Sequence, residues 1–260
     1  MSKKRLDLLL TDLGLAESRT RAQSMIMAGL VLVDGERMDK SGALVSEDAE
    51  ITVKGKDHPY VSRGGVKLEH ALGRFGVDPS SMICVDLGAS TGGFTDCLLK
   101  HGARKVWAID VGTNQLDYRL RNDERVVSME GVNAREMDIS VITDPVDLLV
   151  ADVSFISLRL AVPPLLSALK EDASLVLLVK PQFEAGREQV GKHGVVKDKA
   201  VHRDVMESLA SFFCDLGLFC LGWCESPILG RKGNIEYFIY LKRNIGEKER
   251  ISKFDIDNTP

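Results

Sequence analysis

No apolar run in the 260 residues approaches the roughly 20 that a helical membrane span needs, which excludes a chain anchored by such helices. The amino end, Met1-Ser2-Lys3-Lys4-Arg5-Leu6, is basic but runs at once into an Asp-containing amphipathic stretch. It has neither the uncharged core nor the small-residue cleavage site of a secretory signal, so a cytoplasmic protein is expected. Cysteine is scarce and odd in number: Cys84, Cys97, Cys214, Cys220 and Cys224, with no Cys-x-x-Cys pair. That argues against a zinc site or a disulfide framework and predicts buried, reduced thiols. His193 and His202 lack the carboxylate or cysteine grouping of a metal site, and no metal is expected. An excess of positive charge is missing too, since the formal net charge is −4. Any polyanion-binding surface therefore has to come from clustering. Three clusters exist: Lys3, Lys4, Arg5, Arg19 and Arg21; Arg63 with Lys67; and Arg187, Lys192, Lys197, Lys199 and Arg203.

What is present is an ordinary globular composition, 44% hydrophobic and 28% charged, on a chain long enough for two domains. Leu6, Leu9, Leu10 and Leu13 recur at helical spacing up to Gly14. Ser18 then suits a helix N-cap, with Ala22, Met25 and Ile26 on one face up to Gly29. Beyond Gly29 the period changes: Leu30–Val33 reads as a strand, Asp34-Gly35 as a tight hairpin turn, and Ile51–Val53 as a later strand. This small α+β domain occupies residues 1–60, its linker at about 54–60. The order helix, helix, Gly-Leu-Val-Leu-Val-Asp-Gly resembles the RNA-binding fold shared by a ribosomal small-subunit protein and many RNA-modifying enzymes, over about residues 3–62. The resemblance implies RNA-binding cations at Arg5, Arg19 and Arg21.

From Met82 apolar strands alternate with helical stretches, as in a doubly wound α/β sheet. Strands are expected at 82–87, 105–109, 126–129, 147–152, 174–180, 218–225 and 235–241, the last two an antiparallel hairpin. The fold class predicted is thus α/β, a Rossmann-like seven-stranded methyltransferase sheet over residues 61–245, followed by a frayed tail at 246–260. An apolar stripe of Leu68, Ala71, Leu72 and Phe75 reads as core, and Pro163-Pro164 should start or kink a helix.

The first of these strands ends in Asp86-Leu87-Gly88-Ala89-Ser90-Thr91-Gly92-Gly93-Phe94. Glycines there let backbone turn sharply and approach a ligand. With Ser90 where a dinucleotide fingerprint needs its second glycine, the turn suits a zwitterion without phosphate better than a pyrophosphate. Asp86 would face its ammonium, Asp110 its ribose, and Asn133 and Ala134 its adenine; with Val111 and Asp152 these make up the expected S-adenosyl-L-methionine site. Methyl transfer to a ribose hydroxyl also needs a lysine balanced by carboxylates at the strand ends. Asp152, Lys180 and Glu236 stand at such ends, and Lys67 stands at the start of the domain's first helix.

The order Lys67, Asp152, Lys180, Glu236 resembles the RrmJ/FtsJ-type RNA 2′-O-methyltransferases. Tyr60-Val61-Ser62-Arg63-Gly64-Gly65-Val66-Lys67-Leu68 and Lys180-Pro181-Gln182-Phe183-Glu184, together with the front domain, resemble the TlyA family over about residues 3–245. That resemblance implies 2′-O-methylation of cytidine in ribosomal RNA, the 23S species and in longer members the 16S species too. It implies a catalytic tetrad of those four residues, in which Lys180 orients and helps deprotonate the hydroxyl, and carries an older haemolysin label. The basic, glycine-containing stretch 185–203, with Arg187, Lys192 and Lys197, is expected to be an RNA-contacting loop beside Arg63, ordering on binding. Three other readings compete: a ribosome-associated binding factor without catalysis, a pore-former, for which no amphipathic membrane segment is visible, and a small-molecule methyltransferase, which would need neither the front domain nor the basic loop.

Overall fold

The structure, a computed structural model, describes residues 3–16, 18–53 and 58–245, and within these Arg231 only by its backbone. Most of the expected linker and the whole expected tail lie outside the described residues. The chain divides into two compact units, Met1–Pro59 and Tyr60–Pro260.

The first unit runs β1 (Lys3–Arg5), α1 (Leu6–Asp12), α2 (Arg19–Met27), β2 (Val31–Val33), β3 (Glu36–Met38), β4 (Leu44–Ser46) and β5 (Ile51–Val53). Ser18 caps α2 by accepting from the Arg21 amide. Asp34 and Gly35 both take positive φ (51° and 82°), the tight turn a two-residue hairpin between β2 and β3 requires. β2 pairs with β3 and β5, and β1 with β4. The apolar stripe of both helices, with Leu6, Leu10, Ala22 and Ile26 fully buried, closes on Val31, Val33 and Val45.

The second unit continues with α3 (Gly64–Phe75), β6 (Ile83–Leu87), α4 (Gly93–Lys100), β7 (Lys105–Asp110), α5 (Tyr118–Arg121), β8 (Val126–Glu130), β9 (Val146–Ala151), α6 (Leu158–Ala161), β10 (Leu169–Val179), α7 (Pro181–Glu184), α8 (Lys199–Asp215), β11 (Phe219–Glu225) and β12 (Tyr237–Lys242). Its sheet has seven strands in the order β11-β12-β10-β9-β6-β7-β8. All pairs are parallel except those made by β12, so the final hairpin enters antiparallel. Side chains alternate between two buried layers: Ile83, Val85 and Leu87 of β6 enter one, while Cys84 enters the other with Leu68 and Leu72 of α3 and Leu98 of α4. Pro163 and Pro164 open a 3₁₀ turn, Pro163–Ala168, directly after α6, where a missing amide hydrogen does least harm.

Register explains where a site can form. Leu87 of β6 lies between Ala151 of β9 and Ile109 of β7, and Val179 pairs with Tyr237. Residues just beyond these pairs, Gly88, Asp152, Asp110, Lys180 and Glu236, therefore leave the sheet at the same end. That end of an open α/β sheet is where such folds bind ligands. Four cysteines are buried, as expected, but Cys214 is exposed because it lies on the outer face of α8.

Candidate active site

A cavity of about 820 Å³ opens at that end of the sheet, and all four residues of the expected tetrad line it. They form two ion pairs. Lys67 Nζ lies 2.5 Å from Glu236 Oε2, with side chains only 13% and 3% exposed, and Lys180 Nζ lies 2.6 Å from Asp152 Oδ1. Each charge is thus withdrawn from water together with its counter-charge, the condition under which burial of ions is tolerated. Three of the four sit one residue outside the strands: Asp152 and Lys180 follow β9 and β10, and Glu236 precedes β12. Freed from the ladder, their side chains reach the cavity. Gly230 packs on the Glu236 carboxylate so closely that a Cβ there would fall 2.0 Å from Oε1.

Of the residues expected to bind the cofactor, Gly88, Ser90, Thr91, Gly93, Phe94, Asp110, Val111, Asn133, Ala134 and Asp152 line the cavity. Gly88 has φ 85°, and a Cβ on it would sit 2.6 Å from the Asp152 carbonyl oxygen, so the turn after β6 accepts no side chain. Asp110 is held by the Ser90 amide (2.8 Å, to Oδ2) and the Gly112 amide (2.7 Å, to Oδ1). Each oxygen keeps a lone pair, the pattern a vicinal diol needs. Asp86 and Gly92 do not line the cavity. Asp86 sits on the same face of β6 as Cys84, so its carboxylate turns under the glycine loop toward α4 and accepts from Thr95 Oγ1 at 2.6 Å. Burial pushes its carboxyl up to about 7, with the Thr95 hydrogen bond opposing the rise. The direct ammonium contact expected of Asp86 is replaced by a supporting role beneath the loop.

The family model for FtsJ-like methyltransferases matches residues 60–243, and that for the S4 domain matches residues 4–51. This chain belongs to the TlyA family of FtsJ-like methyltransferases. Over 92% of the chain and 90% of the relative, it is 44% identical to a Mycobacterium tuberculosis protein named 16S/23S rRNA (cytidine-2′-O)-methyltransferase TlyA. It is equally similar, 44% over 91% of this chain and 98% of the relative, to Hemolysin A of Brachyspira hyodysenteriae. A solved structure from Streptococcus thermophilus superposes with a TM-score of 0.73 at 46% identity, covering 93% of this chain and 89% of that one.

The basic residues of this FtsJ-like, S4-bearing chain divide into two kinds. Arg63 is exposed and lines the cavity, and Arg21, Arg187, Lys192 and Lys197 are exposed. Arg5 and Arg19, expected to meet RNA, both bind the fully buried Asp7, at 2.9 and 3.0 Å, joined by Gln23. The Arg5 guanidinium above all holds the Asp7 carboxyl well below the usual carboxylate range. Both arginines remain about half exposed, so they are oriented by Asp7 without being sequestered.

The stretch 185–203 differs from expectation as well. Residues from Lys199 onward, including Arg203, belong to α8 and not to a loop. Val196 is buried, its amide donating to Asn234 Oδ1 and its carbonyl accepting from His202 Nε2. A carbonyl only accepts, so Nε2 carries the hydrogen and Nδ1 accepts from the Tyr237 hydroxyl, 2.9 Å away. Asn234 also donates to the Gly194 carbonyl.

Ser154, Phe155 and Phe183, which residue patterns did not single out, line the same cavity. Phe155 is 84% exposed with φ 65°, and its ring lies 5.2 Å from that of Phe183. Glu184, half-buried and with its carboxyl raised by desolvation, accepts from Ser157 Oγ and the Leu158 amide and so caps α6.

Proposed function

We propose that the chain transfers the methyl group of S-adenosyl-L-methionine to the 2′-hydroxyl of a cytidine in ribosomal RNA, in the 23S species first and with 16S as a second substrate. The observation that carries this reading is the pairing of Lys180 with Asp152 and of Lys67 with Glu236 around one cavity that also holds the Asp110 cradle. Gly88–Gly93 would hold the methionine portion of the donor, Asp110 its ribose, and Asn133 with Ala134 its adenine. When bound, the donor supplies a sulfonium methyl: the hydroxyl oxygen takes the carbon, the C–S electron pair returns to sulfur, and the hydroxyl proton passes to the chain. Lys180 in its neutral form would accept that proton and leave as an ammonium beside Asp152. Lys67 and Glu236 would form the opposite wall and hold the ribose. Phe155 and Phe183 offer exposed ring faces on which an unstacked base could lie.

RNA would be gripped by the S4 domain through Arg5, Arg19 and Arg21, and by the second unit through Arg63, Arg187, Lys192 and Lys197. In the described residues no helix is long and apolar enough to cross a membrane, and the haemolysin reading draws on the names of several relatives. The deciding experiment offers radiolabelled S-adenosyl-L-methionine and separated ribosomal subunits to wild type and Lys180→Ala. Label on a ribose 2′-oxygen of cytidine with wild type alone is expected. Cofactor binding without label on any ribosomal substrate would leave a binding factor as the better reading.

A further inference from the structure

Ser154 belongs to neither the family tetrad nor the expected cofactor site, yet it makes the directed contact on the reacting lysine. Lys180 occupies the junction between β10 and α7 with extended backbone (φ −112°, ψ 101°), followed by Pro181. Its backbone is fixed there, but a four-carbon stem leaves the nitrogen free to swing unless other groups hold it. Asp152 supplies charge at 2.6 Å, although its Oδ1 accepts no directed hydrogen bond. The directed bond runs from Lys180 Nζ to Ser154 Oγ, at 2.8 Å. A charge contact draws the nitrogen in without fixing its rotation, whereas a hydrogen bond is directional.

Ser154 is itself presented from an anchored turn. The Asp152 amide bonds to the Leu87 carbonyl at 2.9 Å, fixing where the turn leaves the sheet. Phe155 is held in the left-handed region, and Ser157 and Leu158 bond Glu184 at the far end. The nitrogen is tetrahedral. Ser154 takes one of its hydrogens, and a direction left over can face the cavity that Lys180, Ser154 and Asp152 all line. In the neutral amine that direction can hold the lone pair that meets a hydroxyl proton.

We propose that Ser154 is a positioning residue, which sets the direction of the Lys180 nitrogen toward the substrate hydroxyl. This rests on the reading of Lys180 given above and goes beyond it. Ser154 is exposed and packs in no core cluster, so Ser154→Ala should fold and melt as wild type does. Its kcat for methyl transfer to ribosomal RNA should fall on the order of tenfold to a hundredfold, the scale of a misdirected reacting group. The KM for RNA and the Kd for S-adenosyl-L-methionine should stay within about twofold. Ser154→Thr keeps the acceptor oxygen and should recover kcat to within about threefold. In ¹⁵N-lysine-labelled full-length protein, the Lys180 NH₃ resonance should be sharp in wild type and Ser154→Thr and broadened or lost in Ser154→Ala. Full activity in Ser154→Ala would overturn the proposal, as would a loss appearing in KM, no rescue by Thr, or an unchanged Lys180 resonance. If wild type labels no RNA, the reading of the reaction falls, while the resonance still decides what Ser154 does.

Discussion

Asp86 shows how one residue can be legible in kind and misread in place. An aspartate ahead of a glycine-rich turn reads as a ligand contact, but strand alternation turns it beneath the loop. There it carries a carboxyl raised to about 7, and the sign of the consequence follows. An unfolded aspartate titrates near about 4, so between that value and 7 the native state holds a proton the unfolded chain has lost. Stability therefore falls as pH rises through this window. Asp86→Asn cannot ionise and should remove that slope, a difference on the order of 3–4 kcal/mol from a three-unit shift. Melting temperatures at pH 5 and pH 7.5 test it: the variant should gain on wild type as pH rises, and parallel curves would mean that Asp86 stays ionised throughout. Lys180, one residue beyond the strand it was expected to end, is the residue on which the proposed chemistry turns. Its replacement by Ala should lower kcat by about 10²–10⁴, the range for a positioned acid–base group. Cofactor affinity measured by calorimetry should barely change.

The Lys67–Glu236 pair ties α3 to the start of β12 across 169 residues of sequence. Removing one partner leaves a buried, unpaired charge, so Lys67→Ala should destabilise the second unit by about 3–5 kcal/mol in a urea titration. Lys67→Met with Glu236→Met removes both charges and should recover most of that stability without recovering activity. If the double variant is as unstable as the single one, packing and not charge explains the loss. Elements of this size were legible where hydrophobic patterning is strong: all seven sheet strands lie close to their expected places, because buried strands are apolar on both faces. β10 begins at Leu169, five residues early, because Lys170, Glu171 and Asp172 mask its first part. β1 and β4, three residues each, are too short to show a period. The clamp on Val196 stayed hidden because it joins residues 196, 202 and 234, distant in sequence and different in type. That clamp holds Val196 at one end of the stretch carrying Arg187, Lys192 and Lys197. Changing these three to Ala should raise the KM for RNA at fixed kcat. The slope of log affinity against log salt should become shallower by about 0.7–0.9 for each phosphate the stretch no longer neutralises.

At the scale of the whole molecule, a net charge of −4 has to coexist with a polyanionic substrate. The chain can resolve this only by local concentration of cations, and two separate units carry them. In the S4 domain Asp7 takes part of the charge of Arg5 and Arg19, whereas the exposed Arg21 takes no part in that Asp7 network. Arg21→Glu in the full-length chain should therefore weaken RNA binding, by roughly 1 kcal/mol, without moving melting temperature or cofactor affinity. Lys197→Glu should do the same from the second unit. If each unit grips its own stretch of one RNA, the two residues share no partner and their binding free energies should add within about 0.5 kcal/mol in the double variant. Filter binding at one salt concentration, with wild type, both single variants and the double, measures that sum directly. A double variant no weaker than the worse single one would mean that the S4 domain and the basic stretch hold the same phosphates, and the division of RNA between two units would have to be abandoned.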